Sequence, residues 1–176
     1  MFGLSFKLTR DDLSPTLSAL ARAARNPEPV LRAMGTTFKS ITEGAFNSVG
    51  AAYRPLPWKA KRDGSPSILQ SRHPTMSKAF HMTVGPKSVT VSNPMPYAGI
   101  HQFGGKTKAH RIVPKFKKAL SFGGRVYGAV NHPGSTIPAR PFFPVDASGQ
   151  MTPKAEQLVQ QAGEREIRKQ LPPGVG

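Results

Sequence analysis

Proline removes a backbone donor and fixes φ, so where prolines cluster neither a helix interior nor a central strand forms. This chain of 176 residues places eight of its 18 prolines in two stretches, residues 54–74 and 132–145. The first, "RPLPWKAKRDGSPSILQSRHP", also holds the only tryptophan and a basic cluster at Lys59, Lys61 and Arg62. It reads as a long loop or extended arm, and loops above about 15 residues in a compact chain are usually functional. Trp58 there either stacks on a nucleic-acid base or locks the loop onto the core. The second stretch, "HPGSTIPARPFFPV", reads as an edge or an extended arm, because each proline deletes a ladder donor.

The segments around these stretches carry periodic patterns. "GLSFKLT" alternates Leu4, Phe6 and Leu8 with polar residues, the pattern of a short strand with one buried face. Ser14-Pro15 then supplies an N-cap and a first-turn proline. Leu13, Leu17, Leu20 and Ala24 recur at helical spacing, and the helix is expected to stop near Asn26. A second helix, with Leu31, Met34, Phe38, Ile41 and Ala45 on one stripe, is expected to run to about Tyr53. Gly35, Gly44 and Gly50 weaken it by about 1 kcal/mol each unless a neighbour packs closely there.

Beyond the first proline stretch the period changes to two. "AFHMTVG" and "SVTVSN" flank Gly85-Pro86-Lys87 as a hairpin, and "HRIVP", "KALSF" and "RVYGAVNH" follow, with Gly123-Gly124 placed to turn the last two against each other. Ala155, Leu158, Val159, Ala162 and Ile167 mark an amphipathic helix over 153–171. The fold class is therefore α+β: antiparallel sheet packed against two N-terminal helices and a C-terminal helix, with long proline-rich loops. At 19.0 kDa the chain reads as a single domain, 1–176.

Charge narrows the function classes. The 25 Lys and Arg against nine Asp and Glu give a formal charge of +16, and residues 51–120 alone hold thirteen basic side chains against one acidic. From Gly64 to Val145 there is no carboxylate side chain. Such a surface repels itself unless it faces a polyanion or an acidic partner; the plain alternative is a solvated basic face with no particular partner. General acid-base catalysis, two-metal phosphoryl transfer and glycoside hydrolysis all lean on carboxylates, so an enzyme is not expected. His73, His81, His101, His110 and His132 form no HExxH pair, and turn or packing roles are expected of them. Without cysteine there is no disulfide, thiol catalysis or zinc-thiolate site. Unless folding brings two or three of the histidines together, neither cofactor nor metal is expected. No apolar run approaches the roughly 18 residues of a membrane span, and charges at Lys7, Arg10, Asp11 and Asp12 stand where a signal peptide would be apolar. These features fit a protein made in a cytoplasm.

"YAGIHQFGGKT", Tyr97 to Thr107, ends like a phosphate-binding loop. The P-loop needs a glycine five residues before its second glycine, and that position is Ile100, with Gly99 one residue out of register. The element is read instead as structural. Tyr97, Ile100 and Phe103 are spaced like the buried side of one helical turn, and His101 and Gln102 are able to bond neighbouring backbone. Gly104 and Gly105 would end the turn with positive φ. In "IPARPFFPV", Pro138 and Pro141 fix the backbone and Phe142 and Phe143 pack or dock. Arg140 pairs with a carboxylate or carbonyl, between subunits or as a cap on a nearby helix.

"PYAGIHQFGG" followed by "IPARPFFPV" resembles the paired signatures of the phage virion morphogenesis, or tail-completion, proteins. "RIVPKFKKALSF" and "HPG" between them also resemble the neck-protein family of long-tailed phages. The resemblance covers nearly the whole chain; one departure is "SRHPTMSKAF", where the family tends to have a Ser/Thr-Gly-x-Leu turn. It implies a structural protein in the virion, made in the host bacterial cytoplasm. It implies a six-fold ring of copies at the neck or upper end of the tail, needed for tail completion or head-tail joining. The implied neighbours are neck, connector or tail-tube proteins. Lys59, Lys61, Arg62, Lys106, Lys108, Arg111, Lys115, Lys117 and Lys118 are then candidates to face DNA in the channel or an adjacent subunit, with non-specific, salt-sensitive contact. Proline-rich arms suit a ring subunit, which meets two neighbours through different surfaces. The alternative is a general non-specific nucleic-acid-binding module.

Overall fold

The computed structural model describes residues 13–47, 49–61, 64, 69, 75–116 and 118–171. The expected strand over "GLSFKLT" lies outside them, as do Arg62, His73 and Lys117 and much of the 54–74 stretch. The described chain is α+β, five α-helices and eight short antiparallel strands.

Helix α1, Leu13–Arg25, ends before Pro27 as expected. Its face differs: Ala19 and Ala23 are buried, whereas Leu17 and Leu20 are exposed. Small side chains let a helix approach its neighbour closely, and apolar periodicity alone does not distinguish that seam from a leucine stripe.

Helix α2, Glu28–Gly44, stops nine residues before the expected end at Tyr53, and a 3-10 turn, Val49–Tyr53, follows. The chain doubles back so tightly that a Cβ on Gly50 would sit 2.0 Å from the Gly44 carbonyl carbon. Asn47 Oδ1 accepts the Gly50 N–H at 3.0 Å. Arg54 closes the helix end: its Nε donates to the Ala45 carbonyl at 2.8 Å and its Nη2 to the Asn47 carbonyl at 3.2 Å. A cation on the final carbonyls is favourable against the helix dipole.

Helix α2 is the spine of the molecule. Along one side lies α5, Pro153–Arg168, with Ile41, Ala155 and Val159 at the seam. Gly163 brings the two helices together, since a Cβ there would meet Met34 Sδ at 3.1 Å. On another side lies the expected hairpin, β1 (His81–Val84) and β2 (Val89–Ser92), in register His81↔Ser92 to Val84↔Val89. Gly35 admits it, because a Cβ at that position would fall 2.3 Å from Val89 Cγ2. A one-turn helix α3, Thr75–Lys78, precedes the hairpin, and α4, Ala98–Phe103, follows it.

From Gly105 to Ile137 the chain makes one long excursion. Strands β3 (Gly105–Lys106) and β8 (Thr136–Ile137), β4 (His110–Ile112) and β7 (Val130–His132), and β5 (Leu120–Phe122) and β6 (Arg125–Tyr127) pair as three nested ladders. Gly123 and Gly124 turn the last pair at φ 58° and 70°, as expected of a two-residue hairpin turn. No described residue from Gly105 to Ile137 is buried, so the excursion is a projecting two-stranded arm.

The second proline stretch is therefore not itself the arm. Residues 132–137 belong to the arm's returning strand, and the chain then dives inward, where Pro141, Phe142 and Pro144 are buried. Phe142 joins Ala45, Phe46, Met76, Phe80 and Ala98 in the main core, with Trp58, Val91 and Phe143 packed around it. Its ring centroid lies 5.5 Å from that of Phe46 and 5.7 Å from that of Phe80.

Candidate interaction site: two coupled motifs and a basic arm

A buried, irregular backbone must find a partner for every N–H and C=O. Residues 139–145 do so through proline, which has no N–H, and through a small set of distant groups. Gln102, only 5% exposed, supplies most of them. Its Oε1 accepts the N–H groups of Phe142 and Phe143, each at 3.0 Å. Its Nε2 donates to the carbonyls of Phe143 at 3.3 Å and Val145 at 3.4 Å. One amide thus acts as a stand-in strand. The Arg140 N–H donates to the His101 carbonyl at 2.7 Å, Trp58 Nε1 to the Pro141 carbonyl at 2.7 Å, and the Thr152 N–H to the Pro144 carbonyl at 2.8 Å.

The two sequence signatures are consequently one structural unit. Tyr97, Ile100, His101, Gln102, Phe103, Gly104 and Gly105 lie in or beside α4, and Pro138, Arg140, Pro141 and Phe142 run alongside it. Gly104, at φ 73°, allows the crossing: a Cβ there would stand 2.9 Å from the Ala139 nitrogen. The helical turn matches the sequence reading, but its buried side does not. Ala98 and Gln102 face inward, while Tyr97 and Phe103 are exposed, Phe103 at 65%. An amide able to satisfy four backbone groups is worth burying, and a search for apolar periodicity passes over it. The available signal was the donor and acceptor capacity of Gln102 opposite a stretch with no ladder partner.

Arg140 meets carbonyls, its Nε at 3.1 Å from the Lys59 oxygen and its Nη2 at 3.5 Å from that of Ala60. It pins the basic segment of the first proline stretch onto the second motif. Trp58 pins it too, edge-on to Phe46 at 5.6 Å and covered by the Arg54 guanidinium at 3.8 Å. Of the two readings of this tryptophan, the lock on the core is the one the structure displays. Burial holds the Arg54 pKa below its usual value. His101 is likewise lowered, first by burial and then by the nearby Arg140 charge, and its Nδ1 is buried without a hydrogen-bond partner. The neutral imidazole is the form this site favours.

Lys106, Lys108, Arg111, Lys115 and Lys118 are exposed along the arm, and Arg125 joins them near its tip. Lys59 is exposed in the pinned segment and Lys61 is half-buried. Ion pairs Arg32–Glu28 and Lys39–Glu43 lie within α2 and Lys169–Glu166 at the end of α5, and none of these involves the arm. His110 and His132 face each other across β4 and β7, rings stacked at 5.1 Å, and His132 Nδ1 accepts the Gly134 N–H at 3.0 Å. His81 is exposed on β1. Among the described residues no group of three metal-ligating side chains forms, and no helix is long and apolar enough to cross a membrane.

No curated protein and no solved structure matches this chain. The family model of the phage virion morphogenesis family matches residues 9–168, a span that includes both motifs, the arm between them and the helices on either side. The chain belongs to the phage virion morphogenesis family.

Proposed function

We propose that this virion morphogenesis protein is a ring-forming structural subunit at the neck or upper end of the tail, required for tail completion or head-tail joining, and not an enzyme. The observation that carries the reading is the arm. A two-stranded projection, anchored at its base by the coupling of α4 to the buried 139–145 segment, suits a subunit that must reach a neighbour. In a ring around the path of the genome, the arm's Lys106, Lys108 and Arg111 would lie beside phosphates, with non-specific contact that weakens with salt. Neighbouring neck, connector or tail-tube proteins would meet the ring's two faces.

The test is localisation in finished particles. A tagged copy, labelled with gold in purified virions, is expected at the head-tail junction. Label at the far end of the tail, or particles that lack the protein, would contradict the proposal.

The exposed cations of the arm also favour a second reading, a non-specific nucleic-acid-binding module acting away from the particle. That reading expects the isolated chain to bind duplex DNA with a steep inverse salt dependence and the virion to contain none of it.

A further inference from the structure

The arm is lopsided. Between the pairs Ile112↔Val130 and Leu120↔Tyr127, residues 113–119 stand opposite residues 128–129 alone. The longer side bulges out as a lobe, described at Val113–Phe116, Lys118 and Ala119. At its centre Phe116 is 98% exposed, with exposed Lys115 and Lys118 beside it. An aromatic ring held fully in water among cations is an unfilled contact.

A matching recess lies at the base of the arm. A cavity of about 480 Å³ opens between the 55–56 segment, α4 and the 139–148 return, lined by Leu56, Phe103, Pro141, Val145 and Asp146. Its walls are largely apolar, and Asp146 brings a carboxylate to them. Bonds from the Ser148 hydroxyl at 2.7 Å and the Gln150 N–H at 2.9 Å favour the ionised form. Both fall on Oδ1, so Oδ2 takes neither.

The lobe is not placed to fill the recess of its own chain. The β3–β8 and β4–β7 ladders hold it away from the arm's base, at the end of at most roughly 25 Å of extended chain. We propose that Phe116 of one copy inserts into the cavity beside Phe103 and Leu56 of a second copy, with Lys115 and Lys118 against that copy's Asp146. The contact joins different surfaces of identical chains, so it propagates head to tail and closes as a ring when the rotation allows. It rests on the ring reading above and supplies the contact that reading requires. A nucleic acid is the poorer occupant, because the carboxylate would face phosphates.

The absence of cysteine from the chain makes the test clean. Lys115→Cys, which keeps the Phe116 anchor and Lys118, and Ala147→Cys variants, mixed and oxidised, are expected to give a covalent dimer joined 115 to 147. The double variant is expected to give a ladder of multiples, while Lys115→Cys mixed with Glu164→Cys on the exposed face of α5 gives no 115–164 dimer. Cross-linking of 115 to 147 no stronger than of 115 to 164 would overturn the proposal. In sedimentation, Phe116→Ser and the pair Lys115→Glu with Lys118→Glu should each weaken self-association by about thirtyfold or more, the effect of losing an interface anchor. These positions are exposed, and unchanged thermal unfolding would confirm folded variants. Self-association that survives Phe116→Ser would overturn the docking and leave the ring reading standing. A wild-type chain that sediments as a monomer at every concentration, with no 115–147 cross-link, would overturn both.

Discussion

The amide oxygen of Gln102 accepts the backbone N–H of Phe142 at 3.0 Å, forty residues along the chain, and the Phe143 N–H at the same distance. Everything between them is the arm with its two ends, so this side chain closes the loop from which the arm projects.

Gln102→Ala leaves two buried N–H groups without a partner and should cost about 3 kcal/mol, measured by urea unfolding. Gln102→Glu keeps the acceptor and sets a carboxylate against the Phe143 and Val145 carbonyls, so it too should destabilise. A Gln102→Ala chain as stable as wild type would show that the coupling is not needed.

Two glycines make opposite predictions. Gly35→Ala drives a methyl to 2.3 Å from Val89 Cγ2 and should destabilise by about 1–3 kcal/mol as the β1–β2 hairpin is pushed off α2. Gly99→Ala, in α4 with nothing within 4 Å of its Cβ, should be neutral or stabilise by up to about 1 kcal/mol. Thermal unfolding of the two variants side by side measures the contrast.

His101 makes stability depend on pH. Its folded pKa lies below the unfolded value, so the unfolded chain takes up a proton first. Stability that is full above the unfolded histidine value is therefore lost as pH falls through it towards the folded pKa. His101→Leu should flatten that part of the acid slope, read from unfolding midpoints between pH 7 and pH 5.

The arm's charge predicts a salt effect. If the isolated chain binds DNA through the arm, changing Lys106, Lys108 and Arg111 together to Ala should lower the slope of log K against log salt by about 2–3, uniformly across sequences. Equal slopes for variant and wild type would remove these residues from DNA contact.

Local signals were legible where they were punctuated. Pro27 ended α1, Gly85-Pro86 turned β1 into β2, and Gly123-Gly124 turned β5 into β6. Which face each element buries was less legible. Leu17 and Leu20 stay exposed while Ala19 and Ala23 are covered, and Gln102 is buried while Phe103 is not. Periodicity measures apolarity, whereas the structure selects small residues for close approach and an amide for backbone satisfaction. The stretch ending in "PARPFFPV" was hardest to place: proline excluded it from a sheet, but the same missing N–H made it easy to bury. At the site, both motifs were visible in the sequence as separate signatures, and their coupling through Gln102 and Arg140 emerged only in three dimensions.

The most direct test of the functional account is electron microscopy of lysates from a phage that lacks this protein. The account predicts filled heads beside finished, unattached tails, restored to joined particles by the wild-type chain. Normal, joined particles in the absence of the protein would contradict it.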